Sequence, residues 1–139
     1  VIILEKYEKS QLDLNIEVLQ TDGGSEICAA VNAATLALID AGICMREYVC
    51  ACTASLSNDG VPLLDVSHLE EMCGGPTLTI AAIPRTDADQ QSVAFVELSQ
   101  KFYLKDLNKI FDCALIGCEK IREILDDSIR SNANELGSN

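Results

Sequence analysis

Across residues 106–130, Leu107, Ile110, Phe111, Ala114, Leu115, Cys118, Ile121, Leu125 and Ile129 recur at steps of three and four. That spacing gathers them on one face of a helix and would scatter them over both faces of a strand. A long helix with one apolar face needs an apolar layer to lie on, and the remainder of the chain must supply it. Strands are the available material. Residues 48–55 are apolar and β-rich, residues 57–60 read SNDG, and a second short strand resumes at 62–66, which together predict a hairpin. Two further strands are expected at 77–83 and 92–98, separated by the polar turn PRTDADQQ.

Upstream, residues 11–20 read QLDLNIEVLQ, with Leu12, Leu14, Ile16 and Val18 alternating with Asp13, Asn15 and Glu17. Period two predicts a strand with one wet face. Thr21, Asp22, Gly23 and Gly24 punctuate it, and a helical stripe of Ile27, Val31, Ala34, Thr35 and Leu38 follows, with Gly42 placed to cap its end. Ser67 with Glu70 three positions on is the pattern of a capping box at the mouth of a short helix, stopped by Gly74, Gly75 and Pro76. The final residues, SNANELGSN, have no apolar face, so 131–139 are expected to form a flexible tail. The expected fold is α+β, a split β-α-β arrangement with a layer of helices on one mixed sheet, in a single domain over 1–130.

The 139 residues suffice for one ordinary domain, and 48% hydrophobic content supports a real core. With 22 acidic against 10 basic side chains the net charge is −12, so the segment alone should repel a polyanion. No apolar run approaches the roughly 20 residues that cross a bilayer, and a soluble intracellular protein is expected. Seven cysteines are an odd number, embedded in stretches such as YVCACTA and FDCALIGC, and read as reduced, buried core thiols. Cys50 and Cys52 are two apart with only His68 elsewhere, which is not the spacing of a structural zinc site, so no metal is expected. The opening VIILEKYEKS reads as the end of one element and the turn after it, so the chain is expected to be a fragment.

Three features could carry chemistry. DGGSE leads a strand into a helix, where glycines admit an oxyanion to the backbone and the helix N-terminus offers free N–H groups. A plain turn would read the same way, and Glu26 suits the helix dipole while opposing a bound phosphate. Asp65 with Glu70 and Glu71 could hold Mg²⁺, although Glu70 is equally a capping partner and Glu71 a solvated helix residue. His68 between them is a candidate acid or base, or simply solvated; Ser25 has no evident base nearby. The lysines and arginines of the last helix do not interleave with Tyr7, Tyr48 or Tyr103 as a base-stacking platform would.

The run QLDLNIEVLQTDGGSEICAAVNAATLALIDAGICMREYVCACTASL, followed by PLLDVSHLEE, a strand pair and a long terminal helix, resembles the RNase PH family and, within it, the ring subunits of the eukaryotic exosome. The resemblance implies an RNase PH-like (ribosomal protein S5 domain 2-like) fold and covers about the second half of the family's domain. The other half would carry the arginines that touch RNA. Active members phosphorolyse RNA from its 3′ end and hold phosphate with a Gly-Gly-[Ser/Thr]-Arg turn, which falls on Gly23, Gly24, Ser25 and Glu26; an acid replaces the arginine. Their aspartate positions fall on Asp65, Ser67 and Glu71, of which only the first is aspartate. A unit charge facing an anion at 4 Å costs about 4 kcal/mol at an effective dielectric of 20. The resemblance therefore implies a non-catalytic ring subunit that needs no cofactor. The alternative is a residual phosphate-dependent 3′–5′ exoribonuclease, with Mg²⁺ and phosphate, using Asp65, Glu71 and an arginine from the other half. Implied partners are other RNase PH-type subunits in a hexameric ring of heterodimers, cap proteins, a hydrolytic nuclease and single-stranded RNA threaded through the ring. The implied location is nucleus, nucleolus and cytoplasm, with no membrane association.

Overall fold

The structure, a computed structural model, describes residues 1–21, 23, 25–57, 59–73, 75–83, 92–101 and 103–137. After a single 3₁₀ turn at Leu4–Tyr7 come helix α1 (Glu26–Asp40), the hairpin of β1 (Cys50–Leu56) and β2 (Pro62–Leu64), and the short helix α2 (His68–Met72). Strands β3 (Thr77–Ile83) and β4 (Ser92–Ser99) and the long helix α3 (Leu104–Gly137) complete the order. The four strands form one sheet in the order β2-β1-β3-β4, and every pairing is antiparallel.

Alternation along β1 explains the layers. Cys50, Cys52 and Ala54 point to one side with Leu78, Ile80 and Ala82 of β3, where Ile110, Ala114, Cys118 and Leu125 of α3 cover them. Ala51 and Ala81 point to the other side, against Cys28 of α1. The apolar face expected of the last helix is thus the face that α3 buries. On the α1 side the seam is partly polar. β2 is three residues long and pairs only Ala54, Ser55 and Leu56 of β1, so Ala51 lies beyond its end. Asn32 makes up the difference: its amide donates to the Ala51 carbonyl at 3.0 Å and accepts the Ala51 N–H at 2.8 Å. One turn on, the Thr35 hydroxyl donates to the Val49 carbonyl at 2.9 Å.

The chain leaves α1 through a Schellman arrangement, as the glycine there predicts. Gly42 has φ +69°, its N–H donates to the Ile39 carbonyl at 3.0 Å, and the Ile43 N–H reaches the Leu38 carbonyl at 3.0 Å. At the far end of the hairpin the Ser57 N–H donates to the Val61 carbonyl at 2.9 Å, closing the turn.

The structure corrects four expectations. Residues 11–20 form no strand: they join no ladder among the described residues, and Leu12, Leu14, Ile16 and Val18 are 40%, 47%, 52% and 55% exposed. A period-two pattern specifies a face but needs a neighbouring strand for its N–H and C=O groups, and none of the described strands lies there. The sheet is consequently antiparallel rather than mixed, because the strand that a β-α-β crossover would have set parallel to β1 is not part of it. Helix α3 runs to Gly137 rather than stopping at Arg130. Residues 131–137 contain no proline to stop it, and the Asn132 amide donates to Asp40 of α1 at 3.3 Å. Finally, the cysteines are not uniformly core: Cys28, Cys50, Cys52 and Cys118 are buried, Cys44 and Cys113 are half-buried, and Cys73 is exposed. The turn expected at 84–91 and Gly74 lie outside the described residues.

Candidate functional site

The turn before α1 and the corner between β2 and α2 meet. Ser25 is the residue preceding α1, yet its hydroxyl does not cap the helix. It donates instead to Oδ1 of Asp65 at 2.8 Å, while the Ser25 N–H reaches back to the Gly23 carbonyl at 2.7 Å. Gly23 has φ +76°, and a Cβ there would stand 2.7 Å from Nδ1 of His68. Gly23, Ser25, Asp65 and His68 therefore form one contiguous corner. Gly24 lies outside the described residues.

Local backbone explains how Asp65 arrives. The Asp65 N–H donates to the Thr53 carbonyl at 2.8 Å, one step past the end of β2, and the chain then turns through a left-handed conformation at φ +56°. Aspartate tolerates that region better than branched residues do. The turn sends Val66 into the core at 1% exposure and leaves the Asp65 carboxylate at the surface, facing Ser25.

The other acids of the corner separate by role. Glu70 completes the expected capping box: its carboxylate accepts from both the backbone N–H and the hydroxyl of Ser67, each at 2.9 Å. Those hydrogen bonds, the backbone one foremost, hold the Glu70 carboxyl below the usual glutamate range. Its oxygen is engaged at the start of α2 and is not presented beside Asp65. Ser67 is thereby committed to the helix cap. Glu71 is half-buried, on the helix that Ser67 caps. Glu26 occupies the first turn of α1 and is exposed. Among the described residues no group of three or more His, Cys, Asp or Glu side chains is arranged to hold a metal ion.

At the head of α1 the corner carries the Asp65 carboxylate on Ser25, with Glu26 in the first turn of the helix. The ion pairs Lys109–Asp106 and Arg122–Asp126 lie along α3. A cleft of about 500 Å³ lined by Leu36, Asp40, Ile129 and Asn132 lies at the opposite end of α1. The pairing of Ser25 with Asp65 had no local sign in the sequence, since 40 positions separate the two.

Comparison with known proteins agrees with this architecture. The model of the 3′ exoribonuclease (RNase PH) family matches in two parts, its domain 1 over residues 1–44 and its domain 2 over residues 47–117. The chain belongs to the RNase PH family. Among curated relatives, the exosome complex component RRP41 of Homo sapiens is 38% identical over 134 residues, which is 96% of this chain and 52% of the relative. The RRP41 homolog of Arabidopsis thaliana is 36% identical over 97% of this chain and 54% of its own length. SKI6, an exosome complex component of Saccharomyces cerevisiae, is 33% identical over 99% and 53% respectively. This RNase PH chain spans about half the length of the curated relatives it matches. In fold it is similar to the crystal structure of rice (Oryza sativa) Rrp46, with TM-score 0.68 and 18% identity over 80% of this chain and 51% of that one. The α+β, RNase PH-like fold implied by the sequence is therefore the fold observed. No helix among the described residues is long and apolar enough to cross a membrane.

Proposed function

We propose that this chain is part of a non-catalytic ring subunit of an RNA exosome, one that shapes the passage for single-stranded RNA during 3′–5′ processing and decay. Membership of the RNase PH family and the exosome names of its relatives support the ring. The observation that carries the loss of activity is Glu26. Where an active member's turn offers arginine to phosphate, this one offers a carboxylate in the first turn of α1, and the neighbouring Ser25 hydroxyl is already spent on Asp65. An incoming phosphate would meet two acids and would have to break that hydrogen bond.

Docking to other RNase PH-type subunits is supported by β4. All eight of its residues are exposed, including Val93, Phe95, Val96 and Leu98, and among the described strands it lies at the edge, paired on one side only. Cap proteins and a hydrolytic nuclease complete the proposed assembly, which would act in the nucleus, nucleolus and cytoplasm. The test is an RNA decay assay on the assembled ring, titrated with inorganic phosphate. No phosphate-dependent release of nucleoside diphosphates is expected, and decay should require the added nuclease. Phosphate-dependent release that Asp65→Ala abolishes would overturn the reading and establish residual phosphorolysis instead.

A further inference from the structure

Helices α1 and α3 approach each other near their C-terminal ends without closing the space between them. Leu125 is the last buried residue of α3 among those described, yet the helix runs on to Gly137. Along that extension Ile129 and Ala133 share a cleft of about 500 Å³ with Leu36 and Ala37 in the last turns of α1. Asp40 and Asn132, both exposed, also line it, and the Asn132 amide donates to the Asp40 carboxylate at 3.3 Å. The volume falls among those of ligand-holding sites, about 300–1,000 Å³. The lining stretches are short, residues 36–40 and 128–133. At 1.5 Å per residue they run for about 6 Å and about 7.5 Å. The cleft seats one or two side chains and is too short for a helix.

Charge and lining together select the occupant. Leu36 and Ile129 are half-buried and offer apolar surface, which holds water poorly. Asp40 closes the C-terminal end of α1, where the helix dipole is already negative, and the last turn of α1 contains no basic residue. None of the described residues lining the cleft is a lysine or arginine, and the whole chain carries a net charge of −12. An anion is therefore opposed, and a purely apolar side chain would strip water from the Asp40 carboxylate without replacing it. A long apolar stem ending in a cation satisfies both parts. Arginine does so better than lysine, because its planar fork takes both carboxylate oxygens and is more weakly hydrated.

We propose that the cleft between the ends of α1 and α3 is a docking pocket for a partner protein, which anchors in it by an arginine side chain. The stem lies on Leu36 and Ile129, and the guanidinium pairs with Asp40. To do so it displaces the Asn132 amide, whose 3.3 Å contact is long for an N–H···O bond and open to water. A bidentate, charge-assisted pair replaces that single weak contact. Arginine is among the residues that most often anchor interfaces in this way. The cleft lies at the end of α1 away from Ser25 and Asp65, so its occupation is separate from the chemistry of that corner.

The experiment titrates the isotope-labelled chain with the acetylated dipeptide amide leucyl-arginine, with its leucyl-citrulline counterpart and with agmatine, following backbone amide shifts by NMR. Citrulline keeps the stem and shape of arginine without its charge, and agmatine carries the guanidinium without a peptide. Leucyl-arginine is expected to give saturable shifts centred on residues 36–40 and 128–133, with an affinity about tenfold above leucyl-citrulline and several-fold above agmatine. Asp40→Asn should remove the preference for arginine over citrulline, and Ala133→Phe, which fills the cleft from an exposed position, should weaken leucyl-arginine about tenfold. Circular dichroism confirms that both variants stay folded. Equal binding of the arginine and citrulline peptides, a preference that survives Asp40→Asn, or shifts spread over the acidic surface without saturation would overturn the assignment. Agmatine binding as tightly as leucyl-arginine would overturn it too, giving the cleft to free organic cations instead of a protein partner.

Discussion

Ser25 gives its hydroxyl hydrogen to Asp65 across 2.8 Å, joining the head of α1 to the corner that follows β2. A hydrogen bond to a carboxylate is stronger than a neutral one, but Asp65 is exposed and water competes for it. A double-mutant cycle of Ser25→Ala and Asp65→Asn, read by urea denaturation, should return a coupling of about 0.5–1 kcal/mol. Asp65→Val should cost a further 1–2 kcal/mol, roughly, because a branched side chain must enter the left-handed region at this position. Zero coupling in the cycle would mean that the contact adds nothing to stability.

Gly23 illustrates the same corner from the other side. Gly23→Ala meets two penalties, the φ of +76° and a Cβ placed 2.7 Å from the His68 ring. The expected loss is about 1–3 kcal/mol by denaturant titration. Adding His68→Ala removes the ring but leaves the residue's Cβ 3.0 Å from the new methyl group as well as the backbone strain, so it should recover part of the loss and not all. Full recovery would show that the backbone at Gly23 carries no strain for alanine; no recovery would show that the ring is not the obstacle.

How far this architecture could be read from the chain depends on where each interaction is encoded. The face of α3 was legible because nine apolar residues repeat at the helical step, and the capping box because Ser67 and Glu70 are three residues apart. Both signals are local. The alternation in residues 11–20 is equally clear, yet alternation names a face without supplying the strand that must pair with it. The α1 seam was hidden for another reason. Thr35 reads as a member of the stripe and Asn32 as a polar residue beside it, and only the shortness of β2 explains why a polar side chain belongs opposite Ala51. Likewise, the sequence could name Gly23–Glu26 and Asp65–Glu71 only as two separate candidates. The bond that joins them, from Ser25 to Asp65, depends on tertiary packing alone.

The interlock of α3 with the sheet turns on Gly117. A Cβ at that position would stand 2.5 Å from the Cys52 sulfur and 2.9 Å from Cδ2 of Leu64. Helix propensity favours Gly117→Ala by about 1 kcal/mol, whereas forcing a methyl group into packed surroundings costs about 1–3 kcal/mol. Packing should win, so the variant is expected to be less stable in thermal unfolding. Pairing it with Cys52→Ala opens space on the nearer side and should restore part of the stability. A stabilised single variant would mean that β1 and α3 can separate at no cost.

The cap of α2 should melt in acid ahead of the rest of the fold. Ser67 holds the Glu70 carboxyl below its ordinary value of about 4.3, so the folded state favours the ionised form. The sign follows: this contribution is complete above the ordinary glutamate value and is lost as pH falls through the lower, folded one. A side-chain carbon NMR titration should show Glu70 with a midpoint below that of a free glutamate, and the α2 amides should lose exchange protection over the same pH window. Ser67→Ala should return the Glu70 midpoint toward the ordinary value, and Glu70→Gln should make α2 protection insensitive to pH across that window. An unshifted Glu70 midpoint in the unaltered chain would show that the two 2.9 Å contacts to Ser67 do not persist in solution.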